Sequence, residues 1–423
     1  MEKLQENLIL SHSTGVGEPF PEEVVRAMLL IRANTLAKGN SGVRKEIIET
    51  LIEMANKGVY PLIPEKGSVG SSGDLAPMAH LVLVMLGKGE AFYKGKRISG
   101  LKALNLAKIK PIKLKAKEGL ALINGATAMT AIGALAVLDA ERLCEIADEN
   151  GALSVEALRG TPNAFFPNIH EARPYPGQII SAKNILKLLE GSTMIDKEKI
   201  QDQYSLRCMP QVHGAVRDAI NYAKRIIEIE INSATDNPLI FPEDLKNPVI
   251  SGGNFHGEPI AFAMDFLGIA VSELANIADR RLAAMLDPNQ NNGLPAFLTE
   301  NGGLNSGLMI LQYTTAALVS ENKILAHPAS VDSIPTSANI EDHVSMGTIA
   351  ARKAREIIEN VKNVLAIERI AACQAIDFRL KGKNKLGTGT EKIYKEIRKI
   401  VPYFKKDAIY YPYIKKVVKK IFE

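Results

Sequence analysis

The sequence predicts a mainly all-α protein with a central bundle of long helices, a smaller N-terminal helical region and a minor β-hairpin. Two observations carry the bundle. Long helical patterns recur at roughly 210–233, 255–286, 305–326 and 345–377, each apolar on more than one face, which a surface helix is not. Small residues within them, such as Ala261, Ala263, Gly268 and Ala270, let neighbouring helices approach closely. Helices this long and this widely apolar need partners on several sides, so oligomerisation is expected too. The composition agrees: 46% hydrophobic and 23% charged residues exclude a disordered or fibrous chain. With no Trp and only 5% aromatics, the core is aliphatic.

The N-terminal elements follow in order. Pro21, Glu22 and Glu23 open a helix to about Ala37, with a proline and two acids where a helix N-terminus favours them. Ser41 to Asn56 forms a second helix, with Ile47, Ile48, Leu51, Ile52 and Met54 on its apolar face and Gly58 closing it. A Gly/Ser-rich loop, Gly67–Gly73, leads through Asp74 into an apolar helix from about Leu75 to Leu86. Ala91–Tyr93 and Arg97–Ile98 flank Lys94-Gly95-Lys96 as a hairpin. Lys108, Lys110, Lys113, Lys115 and Lys117 alternate loosely with apolar residues, as in an exposed strand or linker. One helix is expected from about Glu118 to Asn150, and a Pro-rich ordered loop over Thr161–Pro176 between shorter helices. The expected organisation is an N-terminal region 1–118, a central bundle 119–378 and a basic tail 379–423.

Charge and cysteine content narrow the function classes. Residues 379–423 carry 14 Lys and Arg against 4 Asp and Glu, so residues 1–378 are net negative although the chain is +5 overall. The tail interleaves Lys with Tyr394, Tyr403, Tyr410, Tyr411 and Tyr413 and is expected to be a solvated amphipathic segment, with no nucleic acid partner. Cys144, Cys208 and Cys373 are odd in number and far apart, which excludes a disulfide framework and points to a reducing, cytoplasmic compartment. The N-terminus lacks the pattern of a signal peptide, and no charge-free apolar stretch reaches about 18 residues, so no membrane association is expected. No Cys/His pairing has zinc spacing. His80, His213, His256, His327 and His343 are expected to be hydrogen-bonded structural histidines rather than metal ligands.

The segment that carries chemistry is Gly67–His80. By itself a loop with Gly67, Gly70 and Gly73 before a helix reads as a helix-entry turn or a phosphate cradle. The wider sequence resembles the histidine and aromatic amino acid ammonia-lyases, in which an Ala-Ser-Gly triad cyclises into a methylidene-imidazolone electrophile. The triad here is Ser71-Ser72-Gly73, with Ser in place of the family's Ala. The chemistry accounts for the residue types. The Gly nitrogen attacks the carbonyl carbon two residues earlier, a close approach that a residue without Cβ permits, and the central Ser loses its hydroxyl as water.

Further segments match in family order, from about Leu4 to about Asp377. Asn124, in Leu122–Thr127, matches an Asn that contacts the prosthetic group. Gln201–Gln211 resembles the segment holding a catalytic Tyr and a carboxylate-binding Arg, which places those roles on Tyr204 and Arg207. Phe255 lies in Ser251–Pro259, another family signature; Ser233–Pro238, Glu300–Gly307 and Ser337–Met346 also match. Ser11-His12 matches the specificity pair of histidine lyases, whereas tyrosine lyases carry His-Leu and phenylalanine lyases Phe-Leu. Physically, an imidazole needs partners for two ring nitrogens, which His12 and Glu341 can supply; a phenyl ring would leave them unpaired. Ile340 departs from the Gln usual in histidine lyases.

The resemblance implies a histidine ammonia-lyase, eliminating ammonia from L-histidine to give trans-urocanate. It implies a homotetramer with active sites drawn from several subunits, and an autocatalytic group with no metal or diffusible cofactor. Ser71, Ser72, Gly73, Tyr204 and Glu341 are the implied catalytic residues. His12, Asn124, Gln201, Arg207 and Phe255 are the implied substrate-binding and positioning residues. Nothing in Met1–Gly15 matches the family's Tyr-Gly-x-Asn-Thr-Gly loop, which leaves three expectations open: one half of a split enzyme whose Tyr comes from a separate N-terminal polypeptide, a truncated product, or a member without activity. Two rivals stay open: a tyrosine- or phenylalanine-directed lyase or aminomutase, and a non-catalytic scaffold subunit of a split lyase.

Overall fold

The computed structural model describes residues 2–380 and 382–422. The first helices are α1 (Glu2–His12), α2 (Glu22–Ala37), α3 (Lys45–Lys57), α4 (Leu75–Met85), α5 (Gly100–Leu106), α6 (Glu118–Ile123) and α7 (Thr127–Ala157). They are followed by α8 (Pro167–Glu171), α9 (Pro176–Leu188), α10 (Tyr204–Arg207), α11 (Met209–Ile231) and α12 (Glu258–Leu286). The last are α13 (Met309–Leu325), α14 (Gly347–Arg379), α15 (Thr388–Arg398) and α16 (Tyr411–Phe422). Among the described residues seven short strands accompany them: β1 (Val16–Pro19), β2 (Val59–Pro61), β3 (Pro64–Lys66), β4 (Glu90–Tyr93), β5 (Lys96–Ser99), β6 (Leu239–Ile240) and β7 (Val249–Ile250).

The chain forms two compact units, interleaved in sequence. One comprises Met1–Ala136, Ala223–Asp265 and Pro328–Arg355; the other Val137–Tyr222, Phe266–His327 and Glu356–Glu423. They cut across the three consecutive segments expected from sequence, because α7, α11, α12 and α14 each contribute residues to both.

In the first unit α2 packs on α3, and α1 and α6 pack on α4. The expected hairpin forms as β4–β5 and gains β2 as a third strand; β1 pairs with β3 and β6 with β7. Two local expectations change. Residues 100–106 are helical, and the lysine-rich stretch beyond is a loop whose Ile109, Ile112 and Leu114 are buried. Its alternation thus reflects apolar side chains turned inward from irregular backbone rather than a strand. The helix expected over 118–150 breaks at Asn124–Ala126, where Asn124 is extended (ψ 122°) and Gly125 has φ +127°.

The second unit is a helix bundle around a buried polar network. Arg281 of α12 donates to Glu368 of α14 through Nε (2.5 Å) and Nη2 (3.1 Å), and both side chains are fully buried. Asn150 and Ser154 of α7 complete the Glu368 carboxylate, each at 3.1 Å. His213 of α11 donates from Nδ1 to Asp148 at 2.9 Å and accepts from Arg281 at 3.5 Å. A buried ion pair is tolerable when its remaining lone pairs are satisfied in this way. Among the described residues, α12 has a window long and apolar enough to cross a membrane, but 67% of that window is buried, as in a core helix.

The basic tail is packed rather than solvated. Arg398 and Tyr394 both bind Asp377, Tyr403 donates to Glu300 at 2.6 Å, and Phe404 N–H donates to Gln374 at 3.1 Å. Val401, Val417 and Ile421 are buried. The amphipathic pattern is real, but its apolar stripe is sequestered by the second unit, leaving the lysines to solvent.

Candidate active site

The Gly67–Asp74 loop is set by strands before it and helices after it. β3 delivers the chain into the loop, and α4 begins directly beyond Asp74. Asp74 occupies the N-cap position of α4, yet its side chain serves another helix: Oδ2 accepts from Met129 N–H, in the first turn of α7, at 2.8 Å. Its Oδ1 accepts from Ser68 Oγ at 2.9 Å and from Thr348 Oγ1. Burial pushes the Asp74 carboxyl up, against these hydrogen bonds, which favour the ionised form. Met346 N–H donates to Val69 O at 2.9 Å, tying the loop to the entry of α14.

The break between α6 and α7 meets the triad. Gly125 N–H donates to Ser72 O at 3.0 Å, and Asp74 N–H donates to Gly125 O at 2.9 Å, so the two segments run as a short parallel bridge. Gly73 has φ +71°, and a Cβ there would stand 2.0 Å from the Gly125 carbonyl carbon. No side chain fits that contact. Gly125 is equally constrained, since a Cβ would lie 2.7 Å from Thr235 O. The triad backbone is therefore held close, with its middle carbonyl engaged and its glycine irreplaceable. This arrangement fits a ring closed between Ser71 and Gly73.

Glu341 stands beside this loop. Its Oε1 accepts from Ser72 Oγ at 2.9 Å, and its Oε2 accepts from Thr336 Oγ1 at 2.8 Å and Ser337 Oγ at 3.0 Å. Partial burial acts to raise its pKa, but hydrogen bonds from Thr336, Ser72, Ser337 and Ser71 outweigh it and hold the carboxyl below the ordinary range. His12 ends α1, half-buried, with Ser11 Oγ 3.0 Å from its Nδ1. The segment following it reaches the loop region: Gly15 N–H donates to His80 Nε2 at 3.1 Å, and a Cβ on Gly67 would lie 3.2 Å from Gly15 Cα.

Asn124 reaches the triad through backbone. Its buried amide group donates to Asp236 Oδ1 at 3.2 Å and Asn237 O at 3.1 Å, so the side chain anchors the Ser233–Pro238 segment. Phe255 is half-buried in the turn before α12. Next to it His256 stacks on His343, with ring centroids 5.4 Å apart. These two histidines and Glu258 bring ligand-type atoms within 4.8 Å of one another, a cluster that sequence spacing hides because His343 is 87 residues away. Both ring nitrogens of His256 face protein partners, Nδ1 the Glu258 N–H and Nε2 the His343 carbonyl, each at 3.3 Å.

Gln201, Tyr204 and Arg207 belong to the second unit and form a cluster of their own. Arg207 donates to Gln201 Oε1 at 2.8 Å and lies over the Tyr204 ring at 4.8 Å from its centroid. Tyr204 is 71% exposed, so this cluster presents an aromatic hydroxyl to solvent beside a half-buried guanidinium. Beside it is a cleft of about 350 Å³ lined by Ile169, Ile200, Gln201, Arg207 and Gln211.

Sequence reasoning assigned no role to Asp74, Gly125, Thr336, Ser337 or Arg32. Arg32 had a visible signal: it occupies the same stripe of α2 as Val25, Met28, Leu29 and Leu36, all buried, where a cation is out of place.

The model of the aromatic amino acid lyase family matches residues 1–399. Among curated proteins, the chain is 62% identical over 403 residues to a histidine ammonia-lyase of Caldanaerobacter subterraneus, covering 95% of this chain and 78% of that one. Among solved structures, it superposes on histidine ammonia-lyase from Trypanosoma cruzi with a TM-score of 0.93 at 46% identity, covering 99% of this chain and 80% of the other. Tyrosine aminomutase from Streptomyces globisporus gives a TM-score of 0.94 at 39% identity, with 99% and 83% covered.

Proposed function

The chain belongs to the aromatic amino acid lyase family, and we propose that within it the chain acts as a histidine ammonia-lyase, converting L-histidine to trans-urocanate and ammonia without oxidation. Backbone superposition alone does not separate lyase from aminomutase, since both kinds of structure match equally well. The observation that carries the reading is the hydrogen bond from Ser72 Oγ to Glu341 Oε1 at 2.9 Å, which sets an ionised carboxylate against the triad, suited to an imidazole N–H and to no phenyl ring.

The β-proton of histidine is not acidic, and a methylidene-imidazolone formed from Ser71, Ser72 and Gly73 supplies the electron sink that elimination needs. The chain's own residues bind and orient. Arg207 takes the substrate carboxylate as a charge-assisted pair. Glu341 and His12 take the two imidazole nitrogens, with Ser11 fixing the His12 ring. Tyr204 assists proton transfer, and Gln201 holds Arg207 at 2.8 Å. Asn124 orders the backbone under the triad, and Phe255 lines the substrate's path.

The assembly proposed is a homotetramer whose active sites draw residues from several subunits. Exposed Phe266, Ile269, Ile310 and Tyr313 in the second unit support such an interface. The test is the absorbance of the unsaturated acid formed, urocanate from L-histidine, hydroxycinnamate from L-tyrosine and cinnamate from L-phenylalanine, compared on the assembled protein. Histidine should be preferred by about tenfold or more, the equivalent of one unpaired buried polar group. Equal or faster turnover of tyrosine rejects the reading.

A further inference from the structure

Arg32 is fully buried, and its hydrogen bonds go to main-chain carbonyls: Nε donates to Leu122 O at 3.1 Å and Nη2 to Asn124 O, while Nη1 has no hydrogen-bond partner among the described residues. Burial lowers its pKa to about 10, with Asp236 and Asp74 opposing the fall, so the guanidinium remains charged at neutral pH. Asp236 is itself paired with Lys117. A buried cation held only by carbonyls is costly and adds little stability. Its position relative to the triad gives it another use.

The carbonyl that Arg32 binds and the N–H that binds the triad are two ends of one amide. Asn124 O accepts from Arg32, and Gly125 N–H, across the same peptide bond, donates to Ser72 O at 3.0 Å. Donation into an amide carbonyl polarises that amide and strengthens its N–H as a donor, the more so in a dry interior and from a charged donor.

We propose that Arg32 is a positioning residue for cyclisation of the triad, acting through the Asn124–Gly125 peptide on the Ser72 carbonyl oxygen. Ring closure joins the Gly73 nitrogen to the Ser71 carbonyl carbon. The Ser71 oxygen leaves as water with the protons of the Gly73 and Ser72 nitrogens. The Ser72 hydroxyl then leaves with the Ser72 α-proton as a second water, so no oxidant or reductant is needed. As the α-proton departs, negative charge develops on the adjacent carbonyl oxygen of Ser72, which is the atom the Gly125 N–H faces. The guanidinium at the far end of that peptide stabilises this charge.

The proposal rests on the reading of the triad as an electrophile precursor, and the experiment separates the two. Wild type, Arg32→Lys and Arg32→Gln are made by cell-free synthesis and followed by intact mass. Lys keeps the charge and Gln keeps a neutral donor to Asn124 O, so the pair isolates charge, and circular dichroism checks that both fold. Two waters should be lost rapidly in wild type and at a similar rate in Arg32→Lys, but on the order of tenfold more slowly in Arg32→Gln. That loss is smaller than removal of a direct oxyanion donor, which costs about 10²–10³-fold. The near-ultraviolet band of the finished group should also shift in Arg32→Gln, a change that simple loosening of the fold does not produce. Equal rates and equal spectra in folded Lys and Gln variants overturn the role of Arg32 alone. The absence of any two-water loss in wild type overturns the reading of the triad and this proposal together. Should Arg32→Gln fail to fold, a slow or absent two-water loss in folded Arg32→Lys overturns the charge argument, and a wild-type-like rate and band support it.

Discussion

Ser72 and Glu341 are 269 residues apart in sequence, yet Ser72 Oγ donates to Glu341 Oε1 at 2.9 Å. The hydroxyl that cyclisation would expel thus rests on the carboxylate proposed to receive the substrate ring. The same carboxylate has contacts to Thr336 and Ser337 that do not depend on Ser72, so it keeps its place when the hydroxyl is gone. The purified protein should therefore be lighter by two waters than its sequence mass. Ser72→Ala should show the unmodified mass for its own sequence while staying folded. Intact-mass spectrometry checks this, and an unmodified wild type in well-folded protein sinks the cyclisation.

Removing Glu341 separates electrophile formation from substrate binding. In Glu341→Ala the triad keeps the Gly125 bridge and the Asp74 anchors, so the two-water loss should persist. The histidine imidazole loses one partner, worth about 1–3 kcal/mol, so kcat/KM for histidine should fall by about 5- to 150-fold. A variant that retains wild-type kcat/KM removes Glu341 from the substrate site.

The bundle was legible because long two-faced apolar patterns can only be buried by other helices, as α12 with its buried Ala261, Ala263, Leu267 and Val271 illustrates. The triad was read from the family resemblance of the wider sequence, since Gly67–Gly73 by itself reads as a helix-entry turn. What stayed hidden was long-range hydrogen bonding. Nothing in Asn124-Gly125 announces that the helix breaks there to place an N–H on Ser72 O, since that break is paid for by Arg32 and Asp236 from distant segments. The tail misled for a related reason: it looks solvated until Asp377 is seen binding Arg398 at the end of α15, and Glu300 and Gln374 binding Tyr403 and Phe404 in the loop between α15 and α16.

Gly73 provides a steric test. At φ +71° and with Gly125 carbonyl carbon 2.0 Å from an added Cβ, Gly73→Ala must push the two segments apart. That breaks the Asp74 N–H and Gly125 N–H bonds in a buried site, a loss of about 2–4 kcal/mol. Gly95→Ala, at φ +70° in the hairpin turn with nothing within 4 Å of its Cβ, carries conformational strain without the clash and is the control. Urea unfolding should show Gly73→Ala markedly less stable than Gly95→Ala, and mass should show no two-water loss in Gly73→Ala. Equal stabilities would mean that the loop is not pinned against Gly125.

Acid should weaken the second unit through His213 before it touches the carboxylates. Burial lowers the His213 pKa below its ordinary 6.5 despite its bond to Asp148, and Arg281 adds to the fall. The neutral ring donates from Nδ1 to Asp148 and accepts at Nε2 from Arg281. A histidine whose folded pKa is depressed contributes stability that is full above about 6.5 and is lost as pH drops toward the folded value. Asp148 has the same sign at lower pH. Burial would raise it, but His213, Arg217 and Ser181 hold it below the ordinary carboxylate range, so its contribution is lost only in stronger acid. His170 in the same unit and His80 in the first unit, both lowered by burial, shift whole-chain stability in the same direction. Between pH 7 and pH 5 the urea midpoint of wild type should therefore fall. In His213→Gln, which cannot take up a proton, the fall should be smaller by up to about 1.4 kcal/mol for each pH unit below about 6.5. Identical pH slopes in wild type and His213→Gln would show that His213 accepts its proton in the folded bundle without penalty, and that the Arg281 contact does not hold the ring neutral.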